Sequence, residues 1–300
     1  MSNAALVVGE LCLDVTAQIS VHSEALASLP HNADVVTDGA ITLTPGGTAW
    51  LFANALASAT ELVPLITAAV GTDPAGDLLA ASLAEQGFPA VGLLRAADTR
   101  SDIVSITSFP GTGRLLARPA EKVMRKVQAW EWDRIAHMVT AHDVRFAWVS
   151  GYIFEGCDTA ALDTTRRLFR HLRDRTIPIV LDLVPHDFVN RVGHLGHLEA
   201  DVGPADVLVG EYLTLARLGF GKETHAGADA RPAMLDCARM AAHGRAGAVV
   251  QHRTRPSHYT LAAVGPRLGE QVIDREIPPS GPRGMGDDLA VTGLRLLGLA

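Results

Sequence analysis

Cysteine is scarce in this chain. The three present, Cys12, Cys157 and Cys237, are odd in number and far apart, so no disulfide framework is implied and a reducing compartment suits them. Basic clusters are missing too. A net charge of -7 and the lack of any Lys/Arg run argue against a nucleic-acid partner, which would require a basic face for the phosphate backbone. An acidic balance does not exclude a phosphorylated ligand, because such sites are local. No uninterrupted apolar run reaches the roughly eighteen residues of a membrane span, so none is expected. The opening MSNAALVVGELCLDV has no basic leader, and Glu10 and Asp14 break its apolar stretch, so no signal peptide is expected either. A cytoplasmic protein is the resulting expectation. There is no HExxH motif and no cysteine pairing, so the 12 histidines, His194 and His197 among them, read as surface or capping residues. Neither repeats nor linkers divide the chain, and a single domain over residues 1–300 is expected.

What is present is ordinary globular material: 48% hydrophobic and 20% charged residues. Short β-type runs at residues 5–9, 62–70, 90–94, 146–150, 177–183, 206–209 and 246–252 alternate with helical stretches at 48–58, 75–86, 131–141, 159–174, 233–243 and 287–297. That alternation predicts a three-layer α/β/α domain with a mostly parallel central sheet. Two regions lack crossover helices, and they predict a small accessory β-sheet from roughly residues 12–44 and 100–118. Pro110-Gly111-Thr112-Gly113 reads as a hairpin turn inside the second. Residues 259–264 and 271–277 read as a late antiparallel pair.

Four constellations carry chemistry. Gly284-Met285-Gly286-Asp287 opens the last helix. Glycines there let backbone N–H groups approach an anion, the helix dipole adds attraction, and a carboxylate at the same place can take a proton from an attacking hydroxyl. The competing reading is an Asp that simply caps the helix, with Asp288 sharing the duty. Gly46-Gly47 precedes an Ala-rich helix and permits close backbone approach to a small polar ligand, or else only a tight turn. Thr72 or Asp73 caps the helix that Pro74 begins, a structural role. Asp14 follows the first strand, where a carboxylate can bind sugar hydroxyls or belong to a turn.

The order of these pieces resembles the PfkB/ribokinase family of carbohydrate kinases from residue 5 to the C-terminus. The matching segments are GELCLDV, PGGTAWLFANALA, AAVGTDPAGDLLAASLAEQGF, WVSGYIF, PIVLDLVP and GMGDD. The resemblance implies ATP- and Mg²⁺-dependent phosphorylation of a hydroxyl on a sugar or nucleoside. By the match, Asp287 would be the catalytic base, and the N–H groups of Gly284, Met285 and Gly286 an anion hole. Asp14, Gly46 and Gly47 would hold the substrate. The small sheet would form a lid over the substrate and the interface of a homodimer.

The chain also departs from that pattern. An Asn/Glu pair that helps organise Mg²⁺ and phosphate falls on Gly210 and Leu213, with Glu211 out of register. The nucleotide-side loop, usually a Thr and two glycines, is here His252-Arg253-Thr254-Arg255-Pro256-Ser257. Gly281-Pro282-Arg283 stands where Asp-Thr is usual, and Leu51 where a helix Asn is usual, with Asn54 three residues on. Two readings stay open. Arg253, Arg255 and Arg283 contact nucleotide phosphates in place of the missing groups, for which Arg is well shaped, or they form a solvated surface. With the Asn/Glu pair and the loop glycines missing, the alternative for the chain is a non-catalytic or weakly active sugar- or nucleotide-binding relative with an eroded nucleotide site.

Overall fold

The computed structural model describes residues 3–19, 39–89, 92–109, 113–119, 123–126, 135, 139–155, 159–183, 194–222, 230–255, 258–276 and 284–300. The chain begins with β1 (Asn3–Val8), enters a small sheet as β2 (Cys12–Gln18) and β3 (Thr42–Gly46), and returns through α1 (Thr48–Ala59), β4 (Val63–Gly71), α2 (Pro74–Glu85) and β5 (Gly92–Ala96). It visits the small sheet again as β6 (Asp102–Phe109) and β7 (Gly113–Ala117). After these come β8 (Asp143–Ser150), α3 (Thr159–Asp174), β9 (Ile179–Asp182), α4 (Leu195–Val202), β10 (Val207–Glu211), α5 (Arg231–Ala242), β11 (Gly247–Arg255), β12 (His258–Gly265), β13 (Gly269–Glu276) and α6 (Met285–Leu296).

The main sheet has nine strands in the order β13-β12-β11-β10-β9-β8-β1-β4-β5. It is parallel from β11 to β5, and its last two strands form an antiparallel edge. Central strands such as ALVV and FAWV are continuous apolar runs because helices cover both faces. One core contains Leu168, Phe169 and Leu172 of α3 with Met234 and Cys237 of α5. The other contains Phe52 and Leu56 of α1 with Leu289 and Leu294 of α6. There Phe52 stacks on Trp148 at 4.4 Å and 9°, and each such buried ring contributes about 2–3 kcal/mol. α6 approaches β11 so closely that a Cβ at Gly293 would lie 2.6 Å from the Val249 methyls.

The small sheet has the order β3-β2-β6-β7. Parts of the two predicted lid segments lie outside the described residues, as do residues 110–112 of the predicted turn and most of the helix expected at 131–141. Strands β10 and β11 run further than their apolar pattern predicts. β10 continues to Glu211, and β11 continues to Arg255, where it pairs with His258. Ladder hydrogen bonds to a neighbouring strand hold polar residues extended there, which a hydropathy pattern does not register. Among the described residues no helix is long and apolar enough to cross a membrane.

Candidate active site

Parallel strands all present their carboxyl ends to one edge of the sheet, and ligands in such folds bind beyond that edge. Here the edge brings together Glu10 after β1, Tyr152 after β8, Asp182 at the end of β9, Glu211 at the end of β10 and Gln251 on β11. They line a cavity of about 290 Å³. The small sheet closes another wall. Side chains alternate across a strand, so its inner face carries Cys12, Asp14, Val104, Ile106 and Leu116 into the same cavity.

Asp14 is 5% exposed and accepts a hydrogen bond from the Cys12 thiol at 3.3 Å. Burial and the Asp14 charge push that thiol far up, so Cys12 remains a protonated donor. The Asp14 carboxylate lies over Gly46, where any Cβ would overlap it. Gly47 has φ 87°, and a Cβ there would strike the Glu10 carbonyl. That carbonyl accepts from Ala49 N–H at 3.0 Å, capping α1, which has no side-chain cap. Gly47 lines the cavity, whereas Gly46 acts through Asp14. Leu51 lines it as well; Asn54 instead donates to the Trp50 carbonyl at 2.8 Å.

Gly284 is the N-cap of α6, in the left-handed region at φ 72°, and no side chain caps the helix. The capping role that competes for Asp287 in the sequence is thereby absent: Asp287 and Asp288 stand in the first turn. The Asp288 N–H returns to the Gly284 carbonyl at 3.0 Å, so the N–H groups of Met285 and Gly286 have no acceptor within the helix. Gly284, Gly286 and Asp287 line the cavity, while the Met285 side chain packs into the core. Burial, reinforced by the charges of Asp182 and Asp288, holds the Asp287 carboxyl well above the usual carboxylate range.

Arg118, following β7, is the single basic lining group among the described residues. It grips Glu155 with two bonds of 2.9 and 3.2 Å and lies 5.4 Å from the Tyr152 ring centre. Burial and the Glu10 charge push the Tyr152 hydroxyl up to about 12. Arg253 is exposed and outside the lining; the side chain of Arg255 and all of Arg283 lie outside the described residues. Glu211, out of register as a loop residue, stands on the strand end inside the cavity. No group of three His, Cys, Asp or Glu side chains placed to hold a metal ion occurs among the described residues, His194 and His197 included.

The chain matches no protein-family model and no curated protein sequence. Solved structures do share its fold. A 2-dehydro-3-deoxygluconokinase from Thermotoga maritima is 15% identical, with a TM-score of 0.76 over 99% of this chain and 88% of that one. A putative ribokinase II from E. coli in complex with ATP and Mg²⁺ is 15% identical, with a TM-score of 0.68 over 99% and 87%. A Burkholderia thailandensis nucleoside kinase in complex with inosine is 16% identical, with a TM-score of 0.55 over 92% and 76%. The fold is that of the ribokinase-like sugar and nucleoside kinases.

Proposed function

We propose that this ribokinase-like chain transfers a phosphoryl group from ATP to a hydroxyl of a small sugar or nucleoside. The observation supporting this reading is the convergence of Asp14, Asp287 and the first turn of α6 on one cavity. Asp14 accepts hydrogen bonds from substrate hydroxyls. Asp287 takes the proton of the attacking hydroxyl as its oxygen bonds to the terminal phosphorus and the anhydride bond to ADP breaks. Burial favours the protonated form of Asp287, which makes its carboxylate a stronger base than an exposed one. The N–H groups at residues 284–286 and the dipole of α6 stabilise charge on the transferred group. A bound Mg²⁺ would neutralise the donor phosphates. The structural neighbours named for ribokinase, deoxygluconokinase and nucleoside kinase activities motivate the substrate class.

An ADP-release screen over sugars and nucleosides tests the activity, and Asp287→Asn tests the base. Loss of general-base catalysis is worth about 10²–10⁴-fold in turnover. A carboxyl whose folded pKa is raised contributes stability at low pH that is lost as pH rises through the folded value. Asp287→Asn therefore melts no lower than the parent at pH 7. Undiminished turnover in a folded variant overturns the assignment.

A second reading, a binding protein without turnover, draws on β11. That strand continues as a paired ladder through Arg253 and carries no glycine where a phosphate loop would turn. Calorimetry separates the two: binding of ATP–Mg²⁺ favours the kinase, and sugar binding without ATP binding favours the binding protein.

A further inference from the structure

We infer that Glu211 and Gln251 together form the protein side of a divalent-cation site at the donor phosphates, an inference that rests on the kinase reading. β10 and β11 are parallel neighbours, and Glu211 and Gln251 are register partners across them, which places their backbones about 4.8 Å apart. Both line the cavity. The Gln251 amide packs against the first turn of α6: a Cβ on Gly286 would stand 3.3 Å from Nε2 and 3.7 Å from Oε1. Gln251 therefore borders the N–H groups that would receive the transferred phosphoryl group, with Glu211 beside it on the next strand.

Gln251 Oε1 is buried and makes no hydrogen bond among the described residues. Leaving a buried acceptor unmade costs about 1–3 kcal/mol, a cost removed when a ligand of suitable chemistry binds. An amide oxygen and a carboxylate are both hard oxygen donors. Mg²⁺ takes about six such oxygens and usually keeps several waters, using one or two side chains plus substrate phosphates. A two-ligand site fits that habit, and no three-carboxylate cage among the described residues competes with it. The other cavity carboxylates have different neighbours. Asp14 is bound by the Cys12 thiol. Glu10 acts on Tyr152, and Asp182 acts on Asp287. Glu211 instead borders β11, where its charge reaches His252.

Mn²⁺ with ADP is the probe, read by water-proton relaxation, with metal-free ADP affinity measured alongside. The expected result is a ternary complex in the parent chain. Mn²⁺ affinity should fall about tenfold or more in Glu211→Gln and severalfold in Gln251→Ala, with metal-free ADP affinity unchanged. Equal Mn²⁺ affinity in both folded variants overturns the site while leaving the kinase reading intact. A parent chain that binds neither ADP nor Mn²⁺–ADP overturns both.

Discussion

The Asp14 carboxylate occupies the space that a side chain at residue 46 would need. All three of its terminal atoms would overlap a Cβ built on Gly46. Gly46 lies on β3 beside β2, opposite Cys12, so the glycine lets the neighbouring strand run beneath a carboxylate that lines the cavity.

Gly46→Ala consequently displaces either Asp14 or β3. Overpacking of this kind costs about 1–3 kcal/mol, and a misplacement of about 1 Å near the chemistry costs on the order of 100-fold in rate. The expected outcome is a raised KM for the acceptor together with a lower kcat, measured by steady-state kinetics on the folded variant. Unchanged constants would remove Asp14 from the substrate site.

Asp73 supplies a pH-dependent clamp away from the cavity. Its carboxylate accepts from Gly76 N–H and Ser101 N–H at 3.0 Å each and from the Ser101 hydroxyl at 2.6 Å, joining the start of α2 to the chain entering β6. Burial acts to raise its pKa, but the Ser101 hydroxyl and the two N–H bonds outweigh it and hold the carboxyl below its ordinary value. The resulting stability is present above the unfolded value near 3.8 and is lost as pH falls through the folded one. Asp73→Ala should cost about 1–2 kcal/mol at pH 7, read as a lower urea midpoint. The difference should shrink in strong acid; a constant difference would refute the clamp.

Arg118 and Glu155 join the small sheet to the turn after β8, with side chains 22% and 16% exposed. Removing either member of a poorly solvated pair leaves the other charge uncompensated. Glu155→Gln and Arg118→Met should each destabilise the fold and raise the acceptor KM. A double-mutant cycle should return about 1 kcal/mol or more of coupling. Zero coupling would make the pair incidental.

The homodimer is proposed on the outer face of the small sheet. Leu43, Ile103 and Leu115 are 58%, 46% and 61% exposed there, opposite the face that carries Asp14. Light scattering should give the mass of two chains for the parent and of one chain for Leu43→Lys/Leu115→Glu. A one-chain mass for the parent would end the proposal.

Much of the layered fold was legible in the residues. Short apolar runs marked most strands and period-3.6 patterns most helices, because burial on both faces or on one leaves a local trace. The turn at Gly46-Gly47 and the start of α6 were legible for a similar reason, since left-handed backbone at Gly47 and Gly284 favours glycine. Gln251 was not: it is an ordinary polar residue at the far end of an apolar run, and nothing within a few positions sets it apart. Glu211 stood out only as a residue out of register with the expected Asn/Glu pair, and its place in the cavity was not legible.

By itself, then, the sequence determined where the chain extends, coils and turns, because those choices depend on neighbours a few residues away. Only the tertiary structure decided that Glu10, Tyr152, Asp182, Glu211 and Gln251, drawn from five separate strands or their ends, share one cavity with Asp14 and Asp287. Strand order and register assigned them. In a pleated sheet a shift of one residue turns a side chain to the opposite face, and that register is set by partners far away in the chain.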